Sequence, residues 1–582
     1  MKSITNFLID RERRDLSRAA FLLLVFGLLA FRLLLASQGA MFLEPENSPI
    51  DDQLMYNAAV SITEGNWLGE YQYNTIAKHM FFSVWLAFVH WTGAPYLIAN
   101  AALACAGAWI MACALWPLLK KRGWVLAAFC LLAYCPAGFD QYNYRVYRDS
   151  ITVSLLLLAF GGVIGCVLHA FPAAQETVPS RKRRVIAFWG YSIVGGLGLG
   201  ASWLNREDGV WLLPFVICFL LLGTVAVLKA RGLRGSLKTL LGFCLPFVLM
   251  GGCLAAYAGM NLKHYDRFIL SDLTSRDFTT AYGLLTGIED EGTGACRPTT
   301  YATRQKLYQN SEFFATLEPY WDSPNALNGY GNPQTHEYGG SFYYGLRLAG
   351  QFAGQYTDPL ETKAYYEAIA AELLRLEAEG VIAITHPTRS TVPYWRWEYF
   401  SPTLQELGSG LTMALFCEDF EPRPRLSVYS KEDLVAEMLD YLNDDIVRGY
   451  MAGTDLPYHH PIANLSAHAA CWLWRILILP AVACGLWFAF AYWKKGFRYL
   501  FSESNTPEPA FFVWVLLWGL LLSAVLRCGL MAYMEGTAFR IGTYLMYQST
   551  AVPLLGLFGL LGVHEAICAP RRRKRAEKEQ NT

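Results

Sequence analysis

Residues 19–36 read AAFLLLVFGLLAFRLLLA, and residues 48–93 read SPIDDQLMYNAAVSITEGNWLGEYQYNTIAKHMFFSVWLAFVHWTG. The first stretch is long and apolar enough to span a bilayer, which takes about 17–25 helical residues. The second follows it and carries paired carboxylates (Asp51, Asp52), a Gly/Asn/Trp turn, Lys78-His79 and an aromatic-rich apolar segment. A mere connection between spanning helices needs none of that chemistry. Together they read as a membrane anchor followed by the floor of a site that faces away from the cytoplasm.

The whole chain agrees with this start. Of its 582 residues 54% are hydrophobic and 16% are charged, against about 25% charged in soluble domains. The composition is that of a polytopic membrane protein and carries no nucleic-acid footprint. Further apolar stretches fall near 94–117, 123–139, 150–171, 186–204, 209–229, 238–260, 468–492, 510–533 and 541–566. About ten spans place both termini on one side. Lys120-Lys121-Arg122, Arg181 to Arg184, Lys229 to Lys238, Lys494 to Arg498 and Arg571 to Arg575 then share that side with the basic N-terminus, which the positive-inside rule makes the cytoplasm. A bacterial plasma membrane fits this layout. Residues 19–36 read as an uncleaved signal-anchor rather than a cleaved signal peptide, because the run is long and Arg32 interrupts it. Arg32 either snorkels to the outer interface or faces a polar cavity.

The expected fold class is mainly α: a polytopic transmembrane helical bundle with a large mixed extracytoplasmic loop domain. The expected parts are an N-terminal transmembrane module over 1–261 with its first outward loop at 39–93, a soluble domain at 262–467, transmembrane helices over 468–566 and a basic cytoplasmic tail at 567–582. The apolar piece 80–92 is short for a span and reads as an interfacial or re-entrant helix with Trp85, His90 and Trp91 at headgroup level. In the long loop, Tyr365, Ile369, Leu373 and Leu376 predict a helix over 361–379, and a second is expected over 431–447. Punctuation from Ser323 to Gly340 predicts a loop. Most of the 14 cysteines lie in apolar spans, where they serve as small hydrophobes. Cys296 and Cys417, in the long loop, are the two that could pair.

Ser48-Pro49-Ile50-Asp51 has the form of a helix start, with Ser as N-cap and Pro at the first helical position. Asp51 can serve that start, which leaves Asp52 surplus. A carboxylate at a helix N-terminus stays ionised and is suited to take a proton from an attacking hydroxyl. Lys78, Arg145, Arg148, Arg206 and Arg540 all fall at the same membrane face. Any one of them alone reads as a snorkelling or headgroup-binding cation. Together, with Glu207 and Asp149 among them, they describe a site for an anionic headgroup, since Arg pairs bidentately with phosphate.

This arrangement resembles the GT-C superfamily of integral-membrane glycosyltransferases, which includes protein O-mannosyltransferases, oligosaccharyltransferases and the aminoarabinose transferase of lipid A. The resemblance lies in Asp51-Asp52 followed by Tyr56 and Ala58-Ala59, in Glu64-Gly-Asn66, and in Lys78 ahead of an apolar helix ending at Gly93. Tyr147-Arg-Asp149 and Leu204-Asn-Arg-Glu207 ahead of Trp211-Leu-Leu-Pro214 look like the later bacterial members. It implies transfer of a sugar, with inversion, from a polyprenyl phosphate or diphosphate to an extracytoplasmic glycan, lipid or protein of the cell envelope. Asp52 or Asp51 would be the base. Lys78, Arg145, Arg148, Arg206 and Arg540 would hold the phosphate, and His79, Tyr56 and Glu207 would contact donor or acceptor. Oligosaccharyltransferases carry a metal-holding acidic pair in the second outward loop. Here only Asp140 and Asp149 stand there, nine apart, so no cofactor is called for, and a divalent metal stays open. Two other classes remain: a transporter or flippase, against which the span-end charges and the lack of repeats argue, and a membrane scaffold that leaves the charged set without a shared reason. An O-antigen-ligase-like transfer would use the cations without a first-loop carboxylate.

Overall fold

A computed structural model describes residues 15–580 except 42, 44–45, 47, 173–177, 291, 386, 388–389, 423–431, 444–460, 503–506 and 541. Helix makes up 75% of it and strand 2%, so the mainly α expectation holds. Arg11, Arg13 and Arg14 of the expected basic N-terminus lie outside the described residues, as does the C-terminal end of the helix expected over 431–447.

Among the described residues, eight helical stretches are long and apolar enough to cross a membrane, and the chain reads as an integral membrane protein. They comprise α1 (Arg18–Ser37), α4 (Tyr96–Ala114), α6 (Asp149–His169), α7 (Val178–Asn205), α8 (Leu213–Tyr265), α14 (Pro461–Ala491), α15 (Pro509–Thr537) and the Ala551–Pro570 part of α16 (Ala551–Gln580). Between them lie α2 (Asp52–Thr63), α3 (Phe81–Thr92) and α5 (Arg122–Ala133). The expected span 123–139 is thus a 12-residue helix. It stops because Pro136 and Gly138 turn the chain into a 3-10 segment, and the residue before a proline resists the α conformation. The expected spans 209–229 and 238–260 share α8, which breaks at Gly232 (φ 64°, ψ 174°). That left-handed position suits glycine and folds α8 back on itself, bringing Gly223 against the Phe243 ring. The expected start at 541 gives way to a one-turn helix, Leu545–Gln548, before α16.

Small residues set the closest crossings. A Cβ on Gly162 of α6 would collide with the Gly195 backbone of α7, and one on Gly562 of α16 with Gly485 of α14. Such contacts substitute van der Waals packing for the hydrophobic drive that lipid does not supply. Arg32 turns inward rather than snorkelling. It is 2% exposed, and it donates from Nε to the Ala133 carbonyl (3.2 Å) and from Nη2 to that of Gly138 (2.7 Å), with its guanidinium 4.2 Å from the Phe139 centroid. It closes the C-terminal end of α5, where helical carbonyls lack partners.

The segment between α8 and α14 folds into short helices, among them α9 (Arg276–Thr286), α10 (Phe342–Phe352) and α11 (Pro359–Ala378). These share an apolar centre that includes Phe278, Phe314, Trp321, Phe342 and Leu373. A two-residue-per-strand hairpin pairs β1 (Gly331–Asn332) with β2 (Glu337–Tyr338) inside the expected loop 323–340. Next, α12 (Phe400–Phe416) leaves this centre and lies on α15, with Gly410 beside Cys528. Its last carbonyls are held from α14: Trp474 Nε1 donates to Leu415 (2.8 Å), and Arg475 donates to Phe416 (2.7 Å) and Cys417 (2.6 Å). Finally α13 (Glu432–Tyr441) packs on the first loop, with Met438 and Leu439 against the group that holds Met55, Leu86 and Val89. Cys296 and Cys417 are both free thiols.

Replacing Arg32 by alanine leaves the buried Ala133 carbonyl without its side-chain donor, at a cost of about 1–3 kcal/mol, while the Gly138 carbonyl still accepts from Asn143 Nδ2 at 3.0 Å. The purified protein in detergent should therefore unfold several degrees lower than wild type. An unchanged midpoint would mean that water satisfies that carbonyl.

Candidate functional site

The loop between α1 and α4, the segment before α6 and the turn between α7 and α8 converge at one end of the bundle. The chain enters α2 through a turn in which the Ser48 carbonyl accepts from the Asp51 (3.0 Å) and Gln53 (3.3 Å) amides. The expected side-chain cap is not made: the helix begins at Asp52 and no side chain bonds its first amides. Instead the Ser48 hydroxyl accepts from Arg145 Nη2 at 3.0 Å, a charged donor and so a stronger one than a backbone amide. Both aspartates are thereby released from capping.

Each then meets a cation. Lys78 Nζ donates to Asp51, and the Tyr147 hydroxyl donates to the same carboxylate oxygen at 3.0 Å. Arg145 Nε lies 2.9 Å from both oxygens of Asp52, and Nη2 lies 2.7 Å from one of them. Arg148 donates to both oxygens of Glu207 (3.0 and 2.7 Å), which also accepts from the His79 amide at 2.7 Å. Arg206 pairs with Asp149 and, at 3.1 Å, with Asp208, which Arg527 reaches at 2.6 Å. The Tyr147 ring sits amid three of these cations, 5.7 Å from Lys78, 5.0 Å from Arg145 and 5.5 Å from Arg148.

The two aspartates differ in access. Asp52 is fully buried, whereas the Asp51 side chain is 31% exposed. Burial pushes the Asp51 carboxyl up, but Lys78 beside it and Arg145 and Arg148 behind pull harder and hold it at about 2. Glu207 is likewise pushed up by burial and held at about 2 by Arg148 and His79. Burial lowers Lys78, but Asp51 and Tyr147 more than offset it and keep the ammonium charged. Asp140 stands apart. Burial raises its carboxyl to about 7 despite the bonds from the Glu421 and Tyr142 amides.

The structure thus brings together Asp51, Asp52, Lys78, His79, Arg145, Arg148, Arg206 and Glu207. It sets two expected members elsewhere. Tyr56 turns its hydroxyl to Glu437 of α13 at 3.1 Å, and Arg540 lies exposed beside Cys296. In its stead stands Arg527, 1% exposed within α15. An arginine inside an apolar span was the signal for it, since such residues face partners within the bundle. Three buried polar atoms here have no partner among the described residues: His79 Nε2, Arg148 Nε and Asp149 Oδ2. The His79 Nδ1 faces the Trp203 carbonyl at 2.7 Å. A carbonyl only accepts, so Nδ1 carries the proton and a neutral ring leaves Nε2 bare.

Two features frame the cluster. Above it, α10 brings Tyr344 to 5.6 Å from Lys78. The chain before α10 is pressed so closely on Ala538 that Gly340 has no room for a Cβ. Beside it, an apolar groove of about 250 Å³ runs between α8 and α15 along Phe215, Phe219, Trp518, Leu522 and Leu526. Its lining includes Leu526 of α15, the helix that also carries Arg527.

Among known proteins no family model, no curated sequence and no solved structure matches the chain.

Asp52→Asn leaves Arg145 buried without its countercharge and should cost about 3–5 kcal/mol. Asp51→Asn also leaves a buried cation, Lys78, but on the open side where Asp51 is 31% exposed, and the Lys78 stem is flexible, so it should cost less than Asp52→Asn. Thermal unfolding of the two variants side by side checks the order. For Asp140 the sign follows from the raised value: the folded chain keeps a proton that the unfolded chain releases between about pH 4 and 7, so stability falls as pH rises through that window. Asp140→Asn should therefore raise the unfolding midpoint more at pH 8 than at pH 4.

Proposed function

We propose that the chain is a GT-C-like membrane glycosyltransferase that moves a sugar from a polyprenyl phosphate or diphosphate to an extracytoplasmic acceptor with inversion. One observation carries the reading. An ionised, partly open carboxylate, Asp51, stands among fixed cations, and an apolar groove runs between α8 and α15, the helix that carries Arg527 of the same cluster. A lipid-linked phosphate needs those three things: an apolar channel for the chain, cations for the phosphate and a base for the acceptor.

In this reading the chain crosses the membrane ten times, with α5 and both halves of α8 each counted as a span. Both termini and the basic clusters then lie in the cytoplasm of a bacterial cell, and the residues between α8 and α14 form an extracytoplasmic domain over the site. The acceptor hydroxyl oxygen attacks the anomeric carbon as its bond to the phosphate oxygen breaks. The bonding pair leaves with the phosphate, and the hydroxyl proton passes to Asp51. Lys78, Arg148 and Arg206 stabilise the charge that develops on the leaving phosphate. Asp52 is enclosed by Arg145, and its part is to fix that arginine and the N-terminus of α2. Asp51, reachable from solvent, takes the role of base.

One observation favours the transporter instead. Within the spans, the Tyr492 hydroxyl donates to Glu565 at 2.6 Å, and His564 Nδ1 lies 3.1 Å from the same carboxylate. Intramembrane ionisable groups often mark ion paths.

The test is transfer of radiolabelled sugar from a panel of polyprenyl-phosphate and polyprenyl-diphosphate sugars in membranes that express wild type, Asp51→Asn or Glu565→Gln. Wild type should transfer from at least one donor, Asp51→Asn should lose about 10²–10⁴-fold, and Glu565→Gln should keep its rate. Transfer that survives in Asp51→Asn would remove the carboxylate from the mechanism.

A further inference from the structure

Among the described residues the cluster is electrically closed. Lys78, Arg145, Arg148, Arg206 and Arg527 face an equal number of carboxylates, Asp51, Asp52, Asp149, Glu207 and Asp208, and each cation has a carboxylate partner. An arriving phosphate finds no spare positive charge. It has to take a cation from a carboxylate already bound to it.

The pairs are not equally easy to open. Arg145 grips Asp52 through Nε and Nη2, a fork geometry that fixes orientation as well as charge, and Arg148 holds both oxygens of Glu207 through Nη1. Arg206 is shared between Asp149 and Asp208, and Arg527 supports Asp208 from the other side. The side chains of Asp149 and Asp208 are 4% and 12% exposed. Glu207 is 27% exposed but also accepts the His79 amide. Lys78 differs from all of these. Its ammonium is a point charge on a flexible stem without a fork to realign, and it holds one oxygen of Asp51, the most exposed carboxylate of the set. Asp51 also keeps a second tie when Lys78 leaves, because the Tyr147 hydroxyl donates to it at 3.0 Å.

We propose that the donor phosphate binds by exchange: it takes Lys78 from Asp51, and Asp51, still held by Tyr147, becomes free to accept the proton of the attacking hydroxyl. Binding of the donor and activation of the base are then one event, and before the donor arrives Lys78 keeps the carboxylate occupied. Lys78 is the exchanging residue and Tyr147 a positioning residue. The inference rests on the glycosyltransferase reading and adds to it the order in which the site becomes competent.

The exchange makes a prediction opposite in sign to that of a structural brace. If Asp51 competes with phosphate for Lys78, its removal tightens phosphate binding while it abolishes transfer. The full-length protein in detergent is titrated with farnesyl phosphate, a short water-dispersible polyprenyl phosphate, at fixed salt and pH. Asp51→Asn and Asp51→Ser should each bind about tenfold more tightly than wild type, the effect of about 1.4 kcal/mol. Lys78→Gln should bind at least as much more weakly, and Asp51→Asn with Lys78→Gln should be no tighter than Lys78→Gln alone. Tyr147→Phe should leave the dissociation constant near wild type and lower kcat in the transfer assay, a split that a fold defect does not produce. Equal or weaker binding by both Asp51 variants, with wild type binding well, overturns the exchange alone. No binding of farnesyl phosphate by wild type overturns the glycosyltransferase reading and the exchange with it.

Discussion

The Asp52–Arg145 ion pair is the contact on which the rest of the site depends. It joins the first residue of α2 to the segment ahead of α6 with both partners out of water. A buried charge is tolerated only when it is paired and its remaining lone pairs and protons are met. Arg145 therefore fixes where α2 begins, draws the Ser48 hydroxyl away from capping, and sets Asp51 on the open side. Once that junction is made, the neighbouring carboxylates can each find a cation, and the packing of α6 on α7 through their glycines brings Glu207 and Asp208 within reach.

The parts of this fold that local sequence encodes were legible from it. Apolar length located the spans, and heptad-like spacing located α11. What failed was anything decided by a distant partner. Arg32 reads as a misfit in a span, yet its place is set by carbonyls about a hundred residues away at the end of α5. Ser48-Pro49 has the local grammar of a helix start, but a guanidinium from the next loop outcompetes the amides. The span expected over 123–139 ends early because of Pro136, which hydropathy averages away.

The site divides in the same manner. Lys78, Arg145, Arg148 and Arg206 were found because interfacial charges close to span ends stand out from an apolar background. Arg540 shared that position and lies elsewhere, while Arg527 lay hidden inside a span. The sequence put Asp52 ahead of Asp51, as the carboxylate left over from the helix cap, but the expected cap is not made and Asp51 is the more exposed of the two. The tyrosines of α10, which cover the cluster, carry no local mark that ties them to it.

A cluster whose charges cancel pairwise also has a character at long range. Alternating charges a few ångströms apart make a field that fades within a distance comparable to their spacing, well inside the Debye length of about 8 Å at physiological salt. Toward the aqueous phase the site is therefore nearly invisible to a free anion, and diffusional steering of the kind that speeds charged ligands to open basic clefts is absent. In the proposed reading a lipid-linked donor reaches it through the bilayer rather than from the water. Under that reading electroneutrality acts as a filter on the route of arrival, giving soluble phosphates no long-range advantage over one attached to the membrane.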